Sequence, residues 1–192
     1  KLNAKTEAIT GAGVAGPLRA ALARGKSLKL GTVDVPNPVV AIPRPGGDGF
    51  ALPDDREMSG LLDLCLDHGI NLLDTAPAYG TAEERLGAIM GSRRARFFLV
   101  TKTGEEFSSG QSHYIFTAEH TRMSVERSLK RLKTDYLDCV LAHCPRDDVR
   151  VISDTPVLDT LAALKTEGKI RSFGASIHTV EGGRLAVDRA DA

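Results

Sequence analysis

Residues 70–77, INLLDTAP, decide how this chain is built. The run is short and apolar, bounded by Gly69 before it and Pro77 at its end, which is the pattern of a buried strand. It carries Asp74 where the strand gives way to a loop. Immediately upstream, DDREMSGLLDLCLDHG (54–69) clusters Leu61, Leu64, Cys65 and Leu66 on one helical face and stops at Gly69. Downstream, AEERLGAIMG (82–91) predicts a helix with acids in its first turn, where they favour the dipole, and FFLVTKTG (97–104) predicts a second strand. After a polar loop, Thr117 caps a helix over 118–133 whose Val125, Leu129 and Leu132 share a face. Strand YLDCVLAHC (136–144), helix PVLDTLAALKTEGK (156–169), strand IRSFGASI (170–177) and a further helix from Thr179 complete the pattern. Buried strands alternating with amphipathic helices predict an α/β fold of parallel β/α units. SLKLGTV (27–33) is expected to precede them as a strand, and VPNPVVAIPRPGGDGFALP (35–53), dense in Pro and Gly, as an irregular loop able to cover a site.

A chain of 192 residues supports one domain, or one large domain with an appendage. An N-terminal extension or small helix over 1–26 and a β/α domain over 27–192 are expected. Apolar residues make up 42% of the chain, enough for a core, and 25 basic side chains balance 25 acidic ones. With no dense Lys/Arg block, nucleic acid is not an expected partner. No apolar run is long enough to cross a membrane, so a membrane is not an expected partner either. Cys65, Cys139 and Cys144 are odd in number and lack CxxC spacing, which reads as reduced cytoplasmic thiols rather than a disulfide frame or zinc site.

ITGAGVAGPL (9–18) holds Gly11-x-Gly13-x-x-Gly16 ahead of RAALARG, and Asp34 follows eighteen residues after the last glycine. Two interpretations compete. A dinucleotide fingerprint needs a buried strand before the glycines and a helix after them. The preceding KLNAKTEAI is polar, and Asp34 runs into the Pro-rich segment, so a flexible turn beside a short helix is the reading preferred here.

Chemistry is expected elsewhere. Asp74, Tyr79, Lys102 and His143 lie at or just beyond predicted strand ends. In a parallel β/α barrel all strands end on one face, so residues far apart in sequence converge there. Each also has a plain structural role: a cap for Asp74, loop packing for Tyr79, a solvated terminus for Lys102, a satisfied half-buried ring for His143.

Asp74-Thr-Ala-Pro-Ala-Tyr79-Gly80 resembles the D-x-A-x-x-Y-G signature of the aldo-keto reductases, and VTK (100–102) and LAH (141–143) resemble the other two members of that family's tetrad, in its order. GTV (31–33), GAS (174–176), RSLKRLKTDYLD (127–138) and LKTEGKIRSFGAS (164–176) are similar to further family segments, so the likeness runs from about residue 27 to the end. The resemblance implies a parallel (β/α)8 TIM-type barrel, here incomplete. It implies reduction of a small-molecule aldehyde or ketone by a nicotinamide cofactor, NADPH in preference to NADH, without a metal. Tyr79 would be the general acid and Lys102, held by Asp74, would make its phenol more acidic. His143 would hydrogen-bond the substrate oxygen, where charge develops during hydride transfer. Gly31, Thr32, Asp74 and Ser176 would contact the cofactor, Ser176 through the carboxamide. Ile177 stands where many members have Asn, which weakens or rearranges that grip. The family binds its dinucleotide across the barrel mouth and not at a Gly-rich turn.

A complete barrel takes about 250 residues, and this sequence predicts about five β/α units. A truncated enzyme, a fragment completed by another chain and an inactive product are all compatible with that shortfall. The alternative to a reductase is a non-catalytic cofactor-sensing or interaction subunit.

Overall fold

The computed structural model describes residues 54–191 with their side chains and, ahead of them, the backbone of five strands between residues 6 and 43. The chain divides into two compact units, Lys1–Pro53 and Asp54–Ala192, later than the boundary expected after residue 26.

In the first unit, β1 (Thr6–Gly13) pairs antiparallel with β2 (Gly16–Arg24), Gly13 opposite Gly16. β3 (Ser27–Leu30) and β4 (Val33–Pro36) form a second antiparallel pair, and β5 (Val39–Pro43) lies along the other side of β2. The short helix expected from RAALARG is therefore a strand. Ala, Leu and Arg are good helix formers, but propensity yields to context, and Leu18, Ala20 and Leu22 alternate as well as they spiral; pairing on both sides of β2 decides the outcome. All three glycines of the GxGxxG motif fall in this hairpin, which lacks the helix that a pyrophosphate site requires. The expected strand at 27–33 is present over Ser27–Leu30, paired with β4. The segment expected as an irregular loop contains strand residues 35–36 and 39–43, and its remainder lies outside the described residues.

In the second unit, α1 (Asp55–Asp67) starts with a capping box: the Asp54 side chain accepts from the Glu57 N–H, and Glu57 accepts from the Asp54 N–H. Its buried residue is Leu62; Leu61 and Leu64, expected inward, are exposed. Then follow β6 (Leu72–Asp74), α2 (Ala82–Met90), β7 (Phe98–Thr103), the antiparallel hairpin β8 (Glu105–Ser108) and β9 (Gln111–Tyr114), α3 (Ala118–Leu132) and β10 (Leu137–His143). α4 (Asp148–Asp154), α5 (Val157–Thr166), β11 (Ile170–Ser176) and α6 (Val180–Val187) complete the unit. Strands β6, β7, β10 and β11 form one parallel four-stranded sheet in that spatial order. This is a segment of a parallel β/α barrel. Among the described residues β6 pairs with β7 alone, and Ile70 and Leu72, expected to be buried, are 56% and 55% exposed.

The core lies between sheet and helices and includes Leu99, Val125, Leu132, Val140, Leu158, Leu161 and Leu164. Burying an aliphatic side chain of this size contributes about 1.5–3 kcal/mol. Gly87 brings α2 against the end of α3: a Cβ there would meet the Arg131 carbonyl oxygen at 2.1 Å. Where β10 begins, Asp138 accepts from Arg94 and Arg171, each at 2.8 Å, and from the Leu99 N–H at 2.9 Å. The two guanidiniums also stack on Tyr136, 4.2 and 3.9 Å from the ring centroid. Among the described residues no helix is long and apolar enough to cross a membrane.

Asp148, fully buried, ties α4 to the loop after β11 by accepting from the His178 and Thr179 N–H groups and the Thr179 hydroxyl. Burial raises its pKa, but these donors outweigh burial and hold it below the ordinary carboxylate value. Its contribution is therefore present above the unfolded-state value of about 3.9 and is lost as pH falls through the folded-state value. Asp148→Asn should lower stability by about 2 kcal/mol near neutrality in urea unfolding, with the difference shrinking below about pH 4.

Candidate active site

The C-terminal edge of the parallel sheet gathers the polar residues expected there. Asp74 ends β6, Lys102 lies one residue from the end of β7, His143 ends β10 and Ser176 ends β11. Successive residues of a strand face opposite ways. The Thr101 hydroxyl donates to Glu83 of α2 at 2.7 Å, which places Lys102 on the sheet face away from that helix. Its side chain is 5% exposed, and Nζ donates to Asp74 Oδ1 at 2.6 Å and to the Thr75 carbonyl at 3.0 Å.

Tyr79 reaches the same place by a tight turn: its N–H donates to the Ala76 carbonyl and its own carbonyl accepts from Ala82. Lys102 Nζ lies 4.9 Å from the centre of the Tyr79 ring, and the ring meets that of His143 edge to face at 6.1 Å between centroids. Asp74, Tyr79, Lys102 and His143 are thus one cluster. Tyr79 is half-exposed, so a ligand at the rim can reach it.

Glu105 is not among the residues expected from the sequence. Its region, expected as a polar loop, is a hairpin of β8 and β9 through Ser109 and Gly110 at φ 52° and 78°. A Ser-Gly pair between two short runs with aromatic residues was the available signal. The hairpin sets Glu105 Oε2 2.6 Å from His143 Nδ1. The contact is close but off-line, and the buried Nδ1 completes no aligned hydrogen bond. Glu105 Oε1 accepts from Ser112 at 2.5 Å and from the Tyr114 hydroxyl at 3.4 Å. Burial lowers the His143 pKa, with Lys102 acting the same way, while Glu105 and Asp74 oppose the shift without overcoming it.

Of the residues expected to hold a cofactor, Gly31 and Thr32 lie outside the described residues. Ser176 is half-buried at the rim, opposite His143 in the strand register. Ile177 has no polar side-chain atom, the His178 N–H is committed to Asp148, and its ring faces the Cys144 carbonyl at 3.1 Å. Of the side chains at 176–178, the Ser176 hydroxyl is the polar group with no hydrogen bond to another described residue, so it is the one that could take an amide such as a carboxamide. Cys139 and Cys144 are buried and Cys65 partly so; all are free thiols, and burial pushes Cys144 up to about 12.

The model of the aldo/keto reductase family matches residues 46–188. A Bacillus subtilis protein named as an uncharacterized oxidoreductase, YcsN, is 37% identical over 64% of this chain and 43% of its own length. The NADH-specific methylglyoxal reductase of Escherichia coli is 31% identical over 79% of this chain and 52% of its own. Among solved structures, a candidate aldo-keto reductase from Pseudomonas aeruginosa superposes with a TM-score of 0.72 at 53% identity, covering 73% of this chain and 55% of that one. The chain spans about half the length of the curated relatives it matches.

The electrostatics carry a measurable consequence. By NMR, His143 should titrate below the ordinary imidazole value of about 6.5, since its surroundings penalise the second proton.

Proposed function

The chain belongs to the aldo/keto reductase family, and from that membership we propose that it carries the proton-donating half of a carbonyl reductase site acting on a small-molecule aldehyde or ketone. The observation that supports this best is the convergence of Asp74, Tyr79, Lys102 and His143 around one buried ammonium. NADPH or NADH, when bound, supplies the hydride, and Ser176 would hold its carboxamide.

The protein's own groups manage the proton and the charge. Tyr79 is the general acid and donates its phenolic proton to the carbonyl oxygen. The Lys102 ammonium stabilises the charge left on the phenol oxygen, a preorganised effect that requires no rearrangement during the reaction. Asp74 fixes the ammonium at the rim and offsets the cost of burying it. His143 lies at the edge of the Tyr79 ring, where Nε2, when it carries a proton, would donate to the substrate oxygen and orient it.

An alternative of another class, a cofactor-sensing subunit without turnover, draws its support from Ile177, which supplies no amide at the carboxamide position. One experiment separates the two. With NADPH and an aromatic aldehyde, Tyr79→Phe should lower kcat by about 100-fold or more, as loss of a general acid does, while NADPH affinity by fluorescence titration stays the same. Turnover unchanged by that substitution overturns the proposal; tight NADPH binding by a parent protein that never turns over supports the sensor.

A further inference from the structure

We infer that Glu105 is a positioning residue for His143: through Nδ1 it sets whether the other ring nitrogen, Nε2, donates or accepts a hydrogen bond at the substrate oxygen. This rests on the reading of His143 as a substrate-facing donor given above. The carboxylate comes from the β8–β9 hairpin, outside the alternating β/α pattern.

The observations are geometric. Glu105 Oε2 stands 2.6 Å from Nδ1, and the two side chains are only 11% and 18% exposed. Nδ1 is buried and completes no aligned hydrogen bond, so its close polar contact is with the Glu105 carboxylate alone, and Nε2 has no hydrogen-bond partner among the described residues. The Tyr79 ring touches the imidazole, and the charged or titratable groups acting on it are Glu105, Lys102, Asp74 and His178.

Proton counting over the pair then decides the outcome. A neutral imidazole beside an ionised Glu105 keeps its one proton on Nδ1, facing the carboxylate, and leaves Nε2 as a bare acceptor. With one proton more, the pair is either imidazolium and carboxylate or neutral ring and carboxylic acid. Both of those forms carry N–H at Nε2. The donor state therefore belongs to the pair and titrates with it, not with the imidazole alone. As pH rises through the pair's midpoint, Nε2 changes from donor to acceptor, and kcat/KM for carbonyl reduction should fall. In Glu105→Gln the amide can donate to Nδ1 instead, so a neutral ring retains the Nε2 proton and this falling limb is lost.

The direct test is NMR on the protein labelled with 13C and 15N at histidine, the His143 signal being assigned by its loss in His143→Gln. In the wild-type protein above the midpoint, the ring should hold its proton on Nδ1. An Nε2–H tautomer there overturns the inference without any variant. Glu105→Gln should lower the His143 midpoint by about one pH unit or more, roughly a tenfold loss of proton affinity, and Glu105→Asp should restore part of it. An unchanged midpoint in Glu105→Gln, with the other histidine signals in place, also overturns it. These readouts need no turnover, so their failure leaves the reductase proposal standing. A Tyr79→Phe protein with full activity would remove that proposal without moving the His143 titration.

Discussion

A lysine ammonium that is only 5% exposed needs partners, because taking an unpaired charge out of water costs several kcal/mol, and Lys102 finds them in the Asp74 carboxylate and the Thr75 carbonyl. That requirement couples the ends of β6 and β7 and fixes where the following turn must start. Tyr79 is five residues beyond Asp74, and the turn returns its ring to within 4.9 Å of the same ammonium. On the opposite face of β7, Thr101 is held to Glu83, which in turn lies 3.4 Å from Arg131 of α3. One strand is thus pinned from both sides, and the rim cluster inherits that rigidity.

Much of this arrangement was legible in the sequence because it follows from periodicity. Alternating apolar strands and amphipathic helices predicted the parallel sheet, and the strand ends placed Asp74, Tyr79, Lys102 and His143 at or just beyond one edge, while Ser176 came from the family resemblance alone. Features that depend on tertiary partners were not legible. The acids of α2 looked like dipole complements, yet Glu83 is fully buried and hydrogen-bonded to a strand. Leu61 and Leu64 fit a helical face as well as Leu62 does, and only the packing of α1 on its neighbours selects Leu62. Glu105 escaped notice because a short polar hairpin has no hydrophobic repeat to declare it.

The glycine-rich segment shows the opposite hazard. Its spacing satisfies a dinucleotide fingerprint letter by letter, while the backbone around it is an antiparallel hairpin. A phosphate-binding turn acts through aligned N–H groups at a helix start, so a motif without the helix lacks the physical basis of binding. The tetrad stretch is informative for the converse reason: its residue types match chemical roles at positions where the fold can bring them together.

The two ends of β10 have separate duties. At its start, Asp138, Arg94, Arg171 and Tyr136 lock three strands together through ion pairs and stacked guanidiniums; at its end, His143 faces the open rim. Anchorage and the proposed proton chemistry would therefore be carried by different ends of the same sheet. Such a division lets evolution exchange the rim loops, and with them the range of molecules accepted, while the foundation on which every variant stands remains untouched.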